Sequence, residues 1–230
     1  MSKFRLMSFT VLAMGTLAAP ATTRAASADH ATAAPFQADV VFDGSTAEFP
    51  QWTNAMARAA QELQYMAVCV RVGERRCAPQ AWRELITRLD GLPLMAKLEA
   101  VNRFINRYPY VPTWQNWHRL SYWEAPFEFL ARGAQCQDYA IAKYMALHAA
   151  GVSDAQIRVL LVRDTDLGVD HAVLLADVDG VSYILDNLKP GIVPAVHDIQ
   201  YRPYYAINQS GYWKYLGGRS MSAATGAATP

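Results

Sequence analysis

Along the first half of the chain, apolar residues return every three or four positions. Trp52, Met56, Ala59, Leu63 and Met66 fall on one helical face, and Leu94, Leu98, Val101 and Ile105 on another. Between them, residues 79–89 carry Trp82, Leu85 and Ile86 on one side. Pro79 and Pro93 suit helix starts, where the missing N–H has no intrahelical acceptor to lose. A further helix is expected over Cys136–Ala149, with Gly151 as its C-terminal cap. Beyond it the period shortens. Residues 156–163, 171–178, 181–187 and 199–207 are short runs rich in Val, Ile, Leu and Tyr, and Asp179-Gly180 is a two-residue hairpin signal. Helices first and antiparallel strands afterwards describe an α+β fold, with the Cys136 helix packed on the sheet.

An aromatic segment joins the two halves. Residues 108–129 hold Tyr108, Tyr110, Trp114, Trp117, Tyr122, Trp123, Phe127 and Phe129, with Pro109 and Pro112 interrupting regular structure. Most of these rings are expected in the core, and one or two at the wall of a groove.

The N-terminus sets the expected compartment. Lys3 and Arg5 precede an apolar run of 14 residues, 6–19, that closes in Thr23-Arg24-Ala25, the layout of a signal peptide cleaved after Ala25. The run falls short of the roughly 20 residues a membrane-spanning helix needs, although an uncleaved anchor is the plainer alternative. The expected organisation is a signal peptide at 1–25, a disordered segment at 26–46, one domain at 47–217 and a disordered tail at 218–230. A periplasmic protein, not membrane-spanning after cleavage, follows. Without Lys3, Arg5 and Arg24 the formal charge falls from +1 to −2, which leaves no nucleic-acid footprint.

Three cysteines are an odd number for an exported chain. Cys69 and Cys77 flank a short basic stretch and form the natural pair in an oxidising compartment. Cys136 is then the leftover thiol, either a buried apolar side chain or a reactive group.

The hairpin favours the second. If Asp179-Gly180 is the loop, Val178 faces Val181 and opposed positions add to 359, so Asp186 lies opposite Val173. His171 is then the diagonal neighbour of Asp186, about 7–8 Å away along the backbone, which an imidazole and a carboxylate together bridge. An Asp on one ring nitrogen fixes the tautomer and leaves the other for a nucleophile. Cys136 opens a helix, where unpaired N–H groups and the dipole favour a thiolate and can donate to an oxyanion. Cys136, His171 and Asp186 are therefore the candidate catalytic residues. His30, His118, His148 and His197 have no such partner in a defined register and are read as structural. One thiolate without a Cys-x-x-Cys or His-x-x-x-His partner is a poor zinc set, so no metal ligand is assigned.

Four runs carry a resemblance: Trp123-Glu-Ala-Pro-Phe-Glu-Phe-Leu130, Gly133-Ala-Gln-Cys-Gln-Asp-Tyr-Ala-Ile-Ala-Lys-Tyr144, Asp170-His-Ala-Val-Leu174 and Ile184-Leu-Asp-Asn-Leu188. From about residue 52 to about 213 the chain resembles the bacterial transglutaminase-like cysteine proteinases, whose best-known members are the LapG-type periplasmic proteases. The resemblance implies a papain-like, transglutaminase-like core, a Cys136, His171, Asp186 triad and peptide-bond hydrolysis through a thioester. It also implies a protein substrate, in LapG-type members the N-terminal region of a large surface adhesin whose release disperses biofilm. A membrane receptor for cyclic di-GMP restrains such proteases through its periplasmic domain. LapG-type members bind calcium through acidic residues on both sides of the cysteine. Here those positions are Gln135 and Gln137, and only Asp138 keeps a charge, so no cofactor is expected. An amine-accepting transglutaminase and a non-catalytic binding module of the same fold are the alternatives.

Overall fold

A computed structural model of the chain describes residues 36, 39–64 and 78–216. The expected signal peptide, the Cys69 and Cys77 pair and the tail at 218–230 lie outside the described residues. Six α-helices are seen among them: α1 (Pro50–Gln64), α2 (Ala78–Leu89), α3 (Leu94–Ile105), α4 (Thr113–Trp117), α5 (Pro126–Arg132) and α6 (Cys136–Ala149). The strands are β1 (Val40–Asp43), β2 (Ile157–Asp164), β3 (Val169–Val178), β4 (Val181–Leu185), β5 (Val193–Pro194), β6 (Tyr201–Asn208) and β7 (Gly211–Tyr215). They form one antiparallel sheet in the order β1-β7-β6-β2-β3-β4-β5.

Strand alternation gives the sheet two apolar faces. Val159 and Leu161 of β2 with Ala172, Leu174 and Ala176 of β3 join the larger core with the helices, including Trp52, Trp82 and Phe129. Leu160, Val162, Val173 and Leu175 fall on the other face with Tyr201 and Trp213. α6 packs on β3 and against α3 and α5. Its residues from Asp138 to Leu147 are all buried, as expected of a helix apolar on every side. Gly151 ends it with φ +82°.

The hairpin register is the one the sequence predicts: Val178 pairs with Val181 and Leu174 with Leu185. Strand β4 ends at Leu185, however, so Asp186 stands one residue past the ladder, free to turn its side chain toward β3.

Two expectations are corrected. Residues 40–43, placed in a disordered segment, form the edge strand β1 paired with β7. Four residues are too few to show a period, and their partner lies about 170 positions downstream. β7 itself escapes the pattern for the same reason. Within the aromatic segment, α4 and α5 are helices of 5 and 7 residues, shorter than the window a helical period needs.

Candidate active site

Gly133 sets the approach to α6. Its φ is +73°, and a Cβ there would lie 2.2 Å from the carbonyl oxygen of Pro109, so only glycine lets the two segments touch. Val111 N–H donates to Ala134 O at 3.0 Å and Asn116 Nδ2 to Gly133 O at 2.7 Å. The turn before α6 is thereby strapped to residues 109–116.

Asp138, fully buried in the first turn of α6, locks the other side. One oxygen accepts Glu124 N–H at 2.7 Å, and the other accepts Gln135 N–H and Gln137 Nε2, both at 3.1 Å. Burial, then the neighbouring Glu124 carboxylate, push its pKa well up. The Gln137 amide also reaches Gln135 Oε1 at 3.4 Å, which takes a second bond from Thr113 Oγ1 at 2.8 Å. Cys136, half-buried and the free cysteine among the described residues, turns Sγ to Gln137 Oε1 at 3.6 Å.

His171 on β3 and Asp186 after β4 meet as the register demands, with Nε2 of the imidazole 2.9 Å from Asp186 Oδ1. That contact leaves Nδ1 for the sulfur, and Cys136 acts on the same imidazole by hydrogen bond and charge. Burial works to lower the His171 pKa. The Asp186 and Cys136 interactions outweigh it and raise the value to about 10. For Asp186 burial works upward, while His171, the Leu188 N–H and the Tyr201 hydroxyl bring its pKa down to about 2. Leu188 N–H donates to Oδ1 at 2.9 Å and Tyr201 Oη to Oδ2 at 2.5 Å. Asn106 Nδ2 holds the Asp186 carbonyl oxygen at 2.7 Å.

The structure therefore brings together all three residues singled out from the sequence. It adds three that sequence reasoning missed. Asn106 carries no local signal, because it reaches Asp186 from 80 positions away, and Tyr201, although only 15 positions on, stands on β6, which no hairpin joins to β4. Lys143 did carry one: it lies in an otherwise apolar run of α6, and a charge there has no solvent face to occupy. Of the aromatic residues, Trp117 and Tyr122 are engaged by Glu124 and Glu128. Trp114 and Tyr110 remain 62% and 51% exposed beside the Cys136 turn. Among the described residues no helix is long and apolar enough to cross a membrane.

The family model described as bacterial transglutaminase-like cysteine proteinase matches residues 37–220. A solved structure of Legionella pneumophila LapG is similar at 27% identity and a TM-score of 0.55, over 70% of this chain and 84% of that one. Its calcium-bound form matches at 27% identity and a TM-score of 0.56, over 75% and 92%. No curated protein matches the chain. With a family match across most of its length and a LapG-like fold around Cys136, the chain belongs to the bacterial transglutaminase-like cysteine proteinases.

Proposed function

We propose that this protein is a periplasmic cysteine endopeptidase that hydrolyses a peptide bond in a cell-surface or secreted protein, a large biofilm adhesin being the substrate class suggested by LapG-type relatives. The observation that carries the reading is the His171 Nε2 to Asp186 Oδ1 contact at 2.9 Å, which leaves the other imidazole nitrogen to Cys136. In this mechanism the Cys136 proton passes to His171 Nδ1, and the thiolate attacks the scissile carbonyl carbon. The Cys136 and Gln137 N–H groups precede the first backbone bond of the helix, Asp138 N–H to Gln135 O, and serve the oxyanion. The imidazolium then protonates the leaving amine as the C–N bond breaks, giving a thioester. Water, deprotonated by the same imidazole, attacks the thioester and returns the free thiol. Asp186 keeps the ring in one tautomer throughout. The periplasmic domain of a cyclic di-GMP receptor is the regulatory partner this reading implies.

The same reading includes no calcium requirement. Both Asp138 oxygens already accept N–H donors, and the Gln137 amide nitrogen points at Gln135 Oε1 and Asp138. A donor there repels a cation, so the residues do not fit the ion.

Terminal proteomics of surface and secreted proteins from cells with the natural protein and with Cys136→Ala tests the proposal. New protein termini that depend on Cys136 support it, and identical sets refute it. A labelled primary amine added to the reaction separates hydrolysis from transglutamination, since only the latter incorporates it.

A further inference from the structure

Lys143 is fully buried in the middle of α6, seven residues after Cys136. Two helical turns, about 10 Å along the axis, separate the two positions. Its Nζ donates to the carbonyl of Leu185 at 3.3 Å, on the peptide that leads into Asp186. A buried ammonium costs several kcal/mol unless a charge nearby answers it. Besides Cys136 and Lys143, α6 carries Asp138, Tyr139, Tyr144 and His148, and its surroundings bring Lys97 of α3, Glu124, Glu128 of α5, His171 of β3 and Asp186. Asp186 is the one that acts on the Lys143 ammonium. Burial lowers the lysine pKa to about 7, against the upward pull of that carboxylate.

The charge count explains why a lysine belongs there. A thiolate at Cys136, an imidazolium at His171 and a carboxylate at Asp186 leave one net negative charge in an interior where His171 and Asp186 are 7% and 0% exposed. One cation restores neutrality. Asp138 has its own partners, with both oxygens accepting N–H donors from Glu124, Gln135 and Gln137.

We propose that Lys143 is the built-in counter-ion of the site, a positioning residue that balances Asp186 so that Cys136 and His171 can separate charge, and that fixes the Asp186 turn to the nucleophile helix through Leu185 O. This rests on the triad assignment. Removing a positive charge makes every neighbouring group easier to protonate. Loss of Lys143 therefore leaves the Cys136 thiolate less favoured and the cysteine less reactive. The effect is confined to the range in which Lys143 itself is charged.

The test uses Lys143→Met, neutral and of similar length, and needs no substrate. The rate of Cys136 alkylation by iodoacetamide is followed from pH 4 to 9 on the purified full chain, with thermal unfolding alongside. Removing one partner of a buried charge pair leaves the other uncompensated, so the variant is expected to melt earlier, and alkylation is followed well below its Tm. The expected result is a folded variant whose Cys136 is alkylated about three-fold or more slowly at pH 6, because less of it is thiolate. The two profiles should converge above about pH 8. Superimposable profiles overturn the proposal, and so does a difference of the same size at every pH. If Met disturbs packing, Lys143→Gln read by the same profile decides. His171→Gln is the companion control: unchanged alkylation there refutes the triad itself, whereas a lowered rate there with no effect at Lys143 refutes only the counter-ion.

Discussion

Replacing Tyr201 by Phe removes a single oxygen from the Asp186 carboxylate and leaves the ring in place. The ring is 1% exposed, with its centroid 5.9 Å from that of His171 and the Lys189 ammonium 5.2 Å above it. None of those contacts needs the hydroxyl. The hydroxyl donates to Oδ2 at 2.5 Å, while Oδ1 keeps His171 and Leu188 N–H. Burial and Asp186 both raise the Tyr201 pKa, so the group stays a donor at every useful pH. A hydrogen bond to a buried charged acceptor contributes about 1.5–3 kcal/mol. Against burial, the Tyr201 hydroxyl is also one of the groups, after His171 and Leu188 N–H, that bring the Asp186 pKa down from 3.8 to about 2. For an acid with a depressed folded pKa, that stability is fully present above 3.8 and lost as pH falls through 2. Tyr201→Phe should therefore unfold at a Tm about 4–10 °C lower at pH 7. The gap to the natural protein should narrow once the pH drops below about 4. Urea unfolding of both proteins at pH 7, 5 and 3 measures it. No gap at pH 7, or one that stays constant down to pH 3, would refute the reasoning.

Cys136→Ala or Cys136→Ser should abolish hydrolysis with an unchanged circular dichroism spectrum, because the lost atom is the attacking one. His171→Ala should be nearly as severe and Asp186→Asn less so, as kcat/KM will show. Activity should survive a chelator, and calcium titration by calorimetry should give no binding heat. Loss of activity restored by calcium would show that Asp138 and its neighbours rearrange to hold the ion. Gly133→Ala should lower both stability and Cys136 reactivity, since its Cβ meets the Pro109 carbonyl at 2.2 Å and neither backbone can retreat freely. Peptide mapping of exported protein should find an N-terminus near Ala26, a Cys69 to Cys77 bridge worth about 2–3 kcal/mol, and one equivalent of iodoacetamide on Cys136.

What the sequence shows of the site depends on whether a turn signal joins the strands that carry the interacting residues, since His171 and Tyr201 both stand 15 positions from Asp186. The hairpin at Asp179-Gly180 is local, so its register fixed His171 against Asp186 before any tertiary information. The extent of α6 was equally local, bounded by a turn at Gly133 and a cap at Gly151. Tyr201 reaches Asp186 only because β6 pairs with β2 across a register shift between Leu161 and Val162. No periodicity encodes that shift. Lys143 went unread because a lysine is ordinarily placed on a solvent face, and here the helix has none. The glutamines beside Cys136 signalled missing charge, but not that one amide would donate to the other.

The burial of α6 also decides where this enzyme can yield. Residues 139–147 are sealed between sheet and helices, so their amides belong to the slowest-exchanging unit of the chain, opening only when the whole domain opens. Cys136 stands half-buried one turn before that sealed stretch. Control of catalysis cannot come from fraying this helix without losing the fold, and must act instead at the rim, where Tyr110 and Trp114 meet solvent.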